Sequence, residues 1–151
     1  MEQNILAYAE TGLDYGVIGL LILMSIVTLW LFIERMMFYA TVDIEKYDHR
    51  DTLEIDLTDN ISIISAIGSN APYVGLLGTV IGIMLTFYTM GDVGAIDAKK
   101  IMVGLALALK ATAMGLIVAM PAIIAYTILL RKVEKILTIF DVAQDKEIRN
   151  N

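Results

Sequence analysis

Three stretches of this chain carry no charged residue over lengths that can cross a lipid bilayer. Gly16 to Ile33 gives 18 such residues, Ile61 to Gly91 gives 31, and Ala111 to Leu130 gives 20, extending back to Ile101 if Lys110 is tolerated. A hydrocarbon core of ~30 Å needs about 20 helical residues, so each stretch can span it. With 58% hydrophobic residues, a mean hydropathy of +0.71 and only two prolines, the chain is more apolar than a soluble domain of its size. The expected fold is all-α, an integral membrane protein with three transmembrane helices. Its expected parts are an amphipathic outer segment (1–15), span one (16–33), a short loop with helix extensions (34–60), span two (61–91), a link (92–100), span three (101–130) and a cytoplasmic helical tail (131–151).

The first run does not read as a cleaved leader. Met1 to Asp14 holds Glu2, Glu10 and Asp14 but no basic residue, and Phe38-Tyr39-Ala40 is a poor cleavage site. The net charge of −6 hides an asymmetry that sets orientation. Arg35, Lys46 and Arg50 lie in the 34–60 segment, Lys99 and Lys100 in the link, and Arg131, Lys132, Lys135, Lys146 and Arg149 in the tail. Basic residues thus divide eight to two in favour of loop and tail facing the cytoplasm, Lys110 being left out of the count. The amino terminus is expected outside and the carboxy terminus inside.

Several classes of chemistry are excluded or weak. With no cysteine there is no disulfide and no thiolate metal site. The single His49 sits among charged residues, and the acidic residues between Asp43 and Asp59 follow no metal-binding spacing; both read as solvated surface. No nucleophile–base pair or phosphate loop marks an enzyme, no cofactor is implied, and the charge has the wrong sign for nucleic acid. In the 34–60 segment, helical extension is favoured over a short strand near Thr52 to Thr58.

The second and third spans carry the informative pattern. Ala71, Gly75, Gly78 and Gly82 recur at helical spacing in one; Gly104, Ala108, Ala111, Gly115, Ala119 and Ala122 do so in the other. Burying apolar area gives no drive to association in lipid, and such stripes let backbones approach closely within one chain or between neighbours. The short link makes the two spans an antiparallel hairpin, with Asp97 available to cap the third. Pro72 and Pro121 each remove a backbone donor inside a span and mark expected kinks. Thr79 and Thr86 share a face of span two, and Thr112 lies midway along span three. Each hydroxyl either bonds back to the carbonyl four residues earlier or serves something polar that passes. Lys110 is the one intramembrane charge candidate. It either snorkels to the outer boundary or takes a charge role, and it lies about 200° around the helix from Thr112. No Asp or Glu falls within any span, so a titrating carboxylate would have to come from elsewhere.

The segments APYVGLLGTVIGIMLTF and GLALALKATAMGLIVAMPAIIAY, at this spacing, resemble the MotA/TolQ/ExbB proton-channel family, and its ExbB members most. The resemblance covers roughly Asn70 to Lys132. It implies a ring-forming homo-oligomer, a pentamer, around the helices of an ExbD-like partner in the bacterial inner membrane. Proton flow would drive a TonB-like protein that powers outer-membrane uptake of iron complexes. On the same resemblance, Thr79 and Thr112 line the proton pathway near the partner's Asp. The alternative implied role is that of TolQ in the Tol-Pal system of outer-membrane integrity. Three departures stand out: Leu107 occupies a position where many members carry Glu, Thr127 replaces a frequent Asn, and the cytoplasmic loop is short.

Overall fold

A computed structural model of the chain describes residues 2–91 and 98–150, with side chains placed for residue 12, residues 15–88, 98–99 and 101–149. Four α-helices follow one another: α1 (Glu2–Thr41), α2 (Arg50–Thr58), α3 (Ile61–Gly91) and α4 (Ala98–Asn150), with a single 3-10 turn at Ile44–Lys46. No strand occurs among the described residues, and the 52–58 stretch is part of α2. Three helices are long and apolar enough to cross a membrane, over Tyr15–Thr41, Ile61–Tyr88 and Ile101–Arg149. At 1.5 Å per residue the 53 residues of α4 extend ~80 Å, more than twice the hydrocarbon thickness.

One expected segment differs from the structure. The segment 1–15, expected to lie apart on the outer interface, continues α1 without a break from Glu2 onward. Span three runs on into the helical tail as the single helix α4, whose buried stripe continues beyond Leu130 through Val133, Leu137 and Phe140. The expected cap Asp97 and the rest of the 92–97 link lie outside the described residues.

Burial follows helical periodicity. On α3 the buried positions include Ile61, Ile64, Ile67, Ala71 and Thr79; on α4 they include Ala108, Ala111, Val118, Ala122, Ala125 and Leu129. Their opposite faces are apolar and exposed, with Tyr73, Leu77 and Met84 on α3 and Ile117, Met120 and Ile124 on α4. An apolar exterior of this kind suits lipid or neighbouring subunits rather than water. Helix α1 lies against the α3–α4 hairpin, placing Leu21 with Ile67, Ala71, Val118 and Ala122. A second cluster joins Leu31 and Tyr39 of α1, Leu53 and Leu57 of α2, and Leu129, Val133, Leu137 and Phe140 of α4.

The second cluster is locked by side chains that cap α2. The last carbonyls of a helix have no partner within it, and here α1 supplies one to each of two. The Arg35 guanidinium donates to the Asp56 carbonyl at 3.0 Å, and the buried Tyr39 hydroxyl donates to the Leu57 carbonyl at 2.7 Å. Arg35 also makes two 2.7 Å bonds to the Glu34 carboxylate, sits 3.7 Å from Asp59 and stacks 5.0 Å from the Phe38 ring centroid. A cation at this end complements the helix dipole. Arg50 adds a link between α2 and the tail through Asp141, and the Asp56 carboxylate accepts from Tyr47, which raises that phenol's pKa above its usual value. The turn into α3 passes through Asn60 at φ 59°, the left-handed region that asparagine tolerates.

Replacing these caps isolates their value. Tyr39→Phe should lower stability by about 1 kcal/mol, and Arg35→Met by about 2 kcal/mol, since the latter leaves a shielded carbonyl and a carboxylate without their donor. Thermal unfolding of the detergent-solubilised protein measures both; an unchanged midpoint for Arg35→Met would show that α2 holds without this cap.

Candidate functional site

The two small-residue stripes meet inside one chain and form the seam of the α3–α4 hairpin. Successive rungs pair Thr86 with Gly104, Gly82 with Ala108, Gly78 with Ala111, Gly75 with Gly115 and Gly68 with Ala122. The closest approach is at Gly75 and Gly115. A methyl group on Gly75 would lie 2.6 Å from the Ala111 carbonyl oxygen and 3.1 Å from the Gly115 Cα. One on Gly115 would lie 2.7 Å from the Ala71 carbonyl oxygen. Backbone meets backbone here, which only glycine on both sides permits. Ala119 is buried one turn beyond this crossing.

The threonines sit one turn further along the seam. Thr79, 6% exposed, directs its hydroxyl across the interface, where it lies 2.9 Å from the Ala108 carbonyl oxygen and 2.5 Å from the Thr112 hydroxyl. Its own i−4 carbonyl, that of Gly75, is further away at 3.3 Å. Thr112 is half-buried and keeps accessible surface. The structure thus brings Thr79 and Thr112 into direct contact, and of the two only Thr112 reaches the surface of the subunit. Thr28, Thr86 and Thr127 each donate to their own i−4 carbonyls at 2.8–2.9 Å.

Lys110 is separated from the pair. It is exposed on the side of α4 away from α3, near Leu107, which is 47% exposed. A methyl on Gly78 would lie 2.9 Å from Val17 and 3.0 Å from Ala111, so the Lys110–Ala111 level of α4 matches the Gly16 end of the uncharged run in α1. Pro72 and Pro121 lie within α3 and α4, which continue through both. In the turn before Pro72, Ser69 donates to the Ser65 carbonyl and Asn70 to the Ala66 carbonyl.

Sequence reasoning missed the roles of four residues. The Ala108 carbonyl takes part as the acceptor of the Thr79 hydroxyl, a role invisible in an alanine. Gly68 belongs to the seam, with Ile123 2.9 Å from where its methyl would be. Arg35 and Tyr39 form the α2 cap; their four-residue spacing puts them on one helix face, and that was the available signal.

Among the described residues the chain is all-helical, with three helices able to span a membrane and a glycine-lined hairpin whose seam holds a pair of hydroxyls, the makings of a polytopic membrane protein. Residues 31–142, well over half of the chain, match the MotA/TolQ/ExbB proton channel family, and the chain belongs to it. It is 56% identical to the biopolymer transport protein ExbB of Helicobacter pylori strain J99 over 127 residues, covering 84% of this chain and 88% of that one. It is 54% identical to the ExbB of Aquifex aeolicus strain VF5 over 126 residues, 83% of this chain and 85% of the other. Similarity to the Tol-Pal system protein TolQ of Pseudomonas aeruginosa is 44% over 73 residues, 48% of this chain and 32% of that protein.

The seam geometry orders a set of substitutions. Gly75→Ala and Gly115→Ala should each destabilise the subunit by about 1–3 kcal/mol, because the obstructing atoms belong to the backbone. Gly19→Ala meets nothing within 4 Å and should be neutral or stabilising, since alanine is the better helix former. Thermal unfolding of the three variants in one detergent tests the order; equal midpoints for all three would rule out the tight crossing.

Proposed function

We propose that this chain is an inner-membrane subunit of an ExbB-type, proton-motive-force-driven energy-coupling complex. In this reading several copies, five by the family resemblance, form a ring around helices of an ExbD-like partner. The assembly drives a TonB-like protein and so powers outer-membrane uptake. The amino terminus faces the periplasm and the long α4 tail the cytoplasm, as the basic residues favour.

The observation that carries the reading is the Thr79–Thr112 contact. Two hydroxyls are held together in a seam whose spans contain no carboxylate, and threonine does not itself release a proton near neutral pH. Such a pair suits a titratable group brought by another chain. Family membership supplies the context, and the ExbB proteins of Helicobacter pylori and Aquifex aeolicus match 83–84% of this chain, against 48% for the TolQ relative. That difference favours the TonB-linked role over the Tol-Pal role.

Thr112→Val and the double variant Thr79→Val/Thr112→Val keep side-chain shape and delete hydroxyls. Each should reduce energised uptake of an iron complex at least tenfold in cells lacking the native subunit, while native mass spectrometry shows the same oligomer with its partner. Full uptake by the assembled double variant would refute the role of the pair. Complementation of a Tol-Pal defect, with no rescue of uptake, would transfer the chain to the TolQ role. The absence of cysteine makes orientation directly testable. Asn4→Cys should react with a membrane-impermeant maleimide from the periplasmic side, and Gln144→Cys only after the inner membrane is opened.

A further inference from the structure

The two threonines are not equivalent, and the difference follows from counting protons. A hydroxyl has one proton to donate and two lone pairs to accept with. Thr79 lies within reach of three acceptors: the Ala108 carbonyl at 2.9 Å, the Gly75 carbonyl at 3.3 Å and the Thr112 oxygen at 2.5 Å. Its single proton can serve one of them well. Being 6% exposed, Thr79 has no room for a further partner from outside the subunit, whereas Thr112 does.

Two complete arrangements exist. In the first, Thr79 donates to the Ala108 carbonyl and Thr112 donates to Thr79, so that Thr112 presents a lone pair outward. In the second, Thr79 donates to Thr112, whose proton is then directed outward. The short hydroxyl–hydroxyl contact survives in both, and only two O–H rotors turn. The carbonyl released in the second arrangement retains the backbone partner that α-helical geometry gives it. We infer that Thr79 is a positioning residue whose proton switches between Ala108 and Thr112, allowing Thr112 to meet a visiting carboxyl group in either protonation state. A protonated carboxyl donates to the outward lone pair; an ionised one accepts the outward proton. No proton leaves either threonine, and no charge is placed on this chain. The inference rests on the proposed reading that a carboxyl from another subunit visits this seam.

Thr79 is also what keeps Thr112 available. The Ala108 carbonyl is the i−4 acceptor that a threonine at 112 would ordinarily use for back-bonding. With Thr79 absent, the Thr112 hydroxyl turns to that carbonyl and becomes a poorer donor to an ionised visitor. Weakening a hydrogen bond to the charged form raises a carboxyl pKa. Thr79→Val should therefore raise the midpoint at which the visiting carboxyl ionises.

The test uses the full complex with its partner subunit, reconstituted in lipid, and follows the protonated-carboxyl infrared band through a pH titration. Thr79→Val should move the midpoint upward by about 0.5–1 pH unit, part of what the loss of a whole charge-assisted bond would give, since Thr112 keeps its hydroxyl. Thr79→Ser should restore it, and Thr79→Cys, a weaker donor of similar size, should fall between. Thr112→Val should shift it at least as far as Thr79→Val. A shift for Thr112→Val with none for Thr79→Val or Thr79→Cys overturns the positioning role alone. A Thr79→Ser midpoint equal to that of Thr79→Val overturns it too, since packing rather than the hydroxyl would then be responsible. No shift in any variant, including Thr112→Val, overturns the reading that a carboxyl visits this pair. If the valine variant does not assemble, the serine and cysteine variants decide by the same ordering.

Discussion

The contact on which the rest of this structure depends is the backbone approach of α3 and α4 at Gly75 and Gly115. Van der Waals attraction falls steeply with separation, and lipid offers no hydrophobic drive to compensate for a loose fit. Close approach must therefore come from the absence of side chains. Glycine at both positions allows the Ala111 and Ala71 carbonyls to reach the opposing helix, where a methyl would meet them at 2.6–2.7 Å. One turn away, that separation is what lets the Thr79 hydroxyl reach the Ala108 carbonyl. A wider seam would leave Thr79 with its own Gly75 carbonyl as its nearest acceptor. The small residues and the hydroxyl pair are thus one feature with two chemistries.

The other end of the molecule solves a different problem. Beyond the spans, α1 and α4 run on while the chain reverses through α2, whose nine residues are too few to form a stable helix alone. Its stability comes from outside: Leu53 and Leu57 are fully buried against α1 and α4, and Arg35 and Tyr39 take its last carbonyls. Burying Arg35 is affordable because every direction it faces offers a partner: Glu34, the Asp56 carbonyl, Asp59 or the Phe38 ring. A seam of glycines at one level and a knot of polar bonds at the other fix the hairpin relative to α1.

The parts of this fold legible in the sequence were those written in composition and period. Uncharged length gave the spans, and the step of Gly75, Gly78 and Gly82 against Ala108, Ala111 and Gly115 gave two surfaces able to pack closely. Which surfaces meet, and whether within one chain or between chains, is a matter of tertiary register that no period encodes. The threonines illustrate the limit. Helical spacing alone presented Thr79, Thr86 and Thr112 alike, and it does not show that the Thr79 hydroxyl meets both Thr112 and the Ala108 carbonyl across the seam. Thr86 packs on Gly104, whereas Thr79 finds the Ala108 carbonyl and the Thr112 hydroxyl opposite it. Arg35 counted in the sequence only as a charge for the opposite reason: a basic residue just past an apolar run reads as a boundary marker, and only the return of α2 buries it.

The lack of carboxylates in the spans bears on why a hydroxyl pair would be used at all. An ionised acid fixed at this depth would carry a desolvation cost whenever no counter-charge was present. A hydroxyl pair satisfies itself when alone, as the bonds among Thr79, Thr112 and Ala108 do here. On the proposed reading it can then exchange one internal bond for one to a passing group without stranding either oxygen. The cost of moving charge through the membrane then falls on the visiting carboxyl, which can be neutral when it enters. A subunit built this way offers a nearly level path rather than a binding site, because neither protonation state of the visitor is trapped against it. Leu107 strengthens the point. Leu107 is exposed on the turn before Lys110 and brings no titrating group to this level, where the two hydroxyls stand across the helix from the lysine.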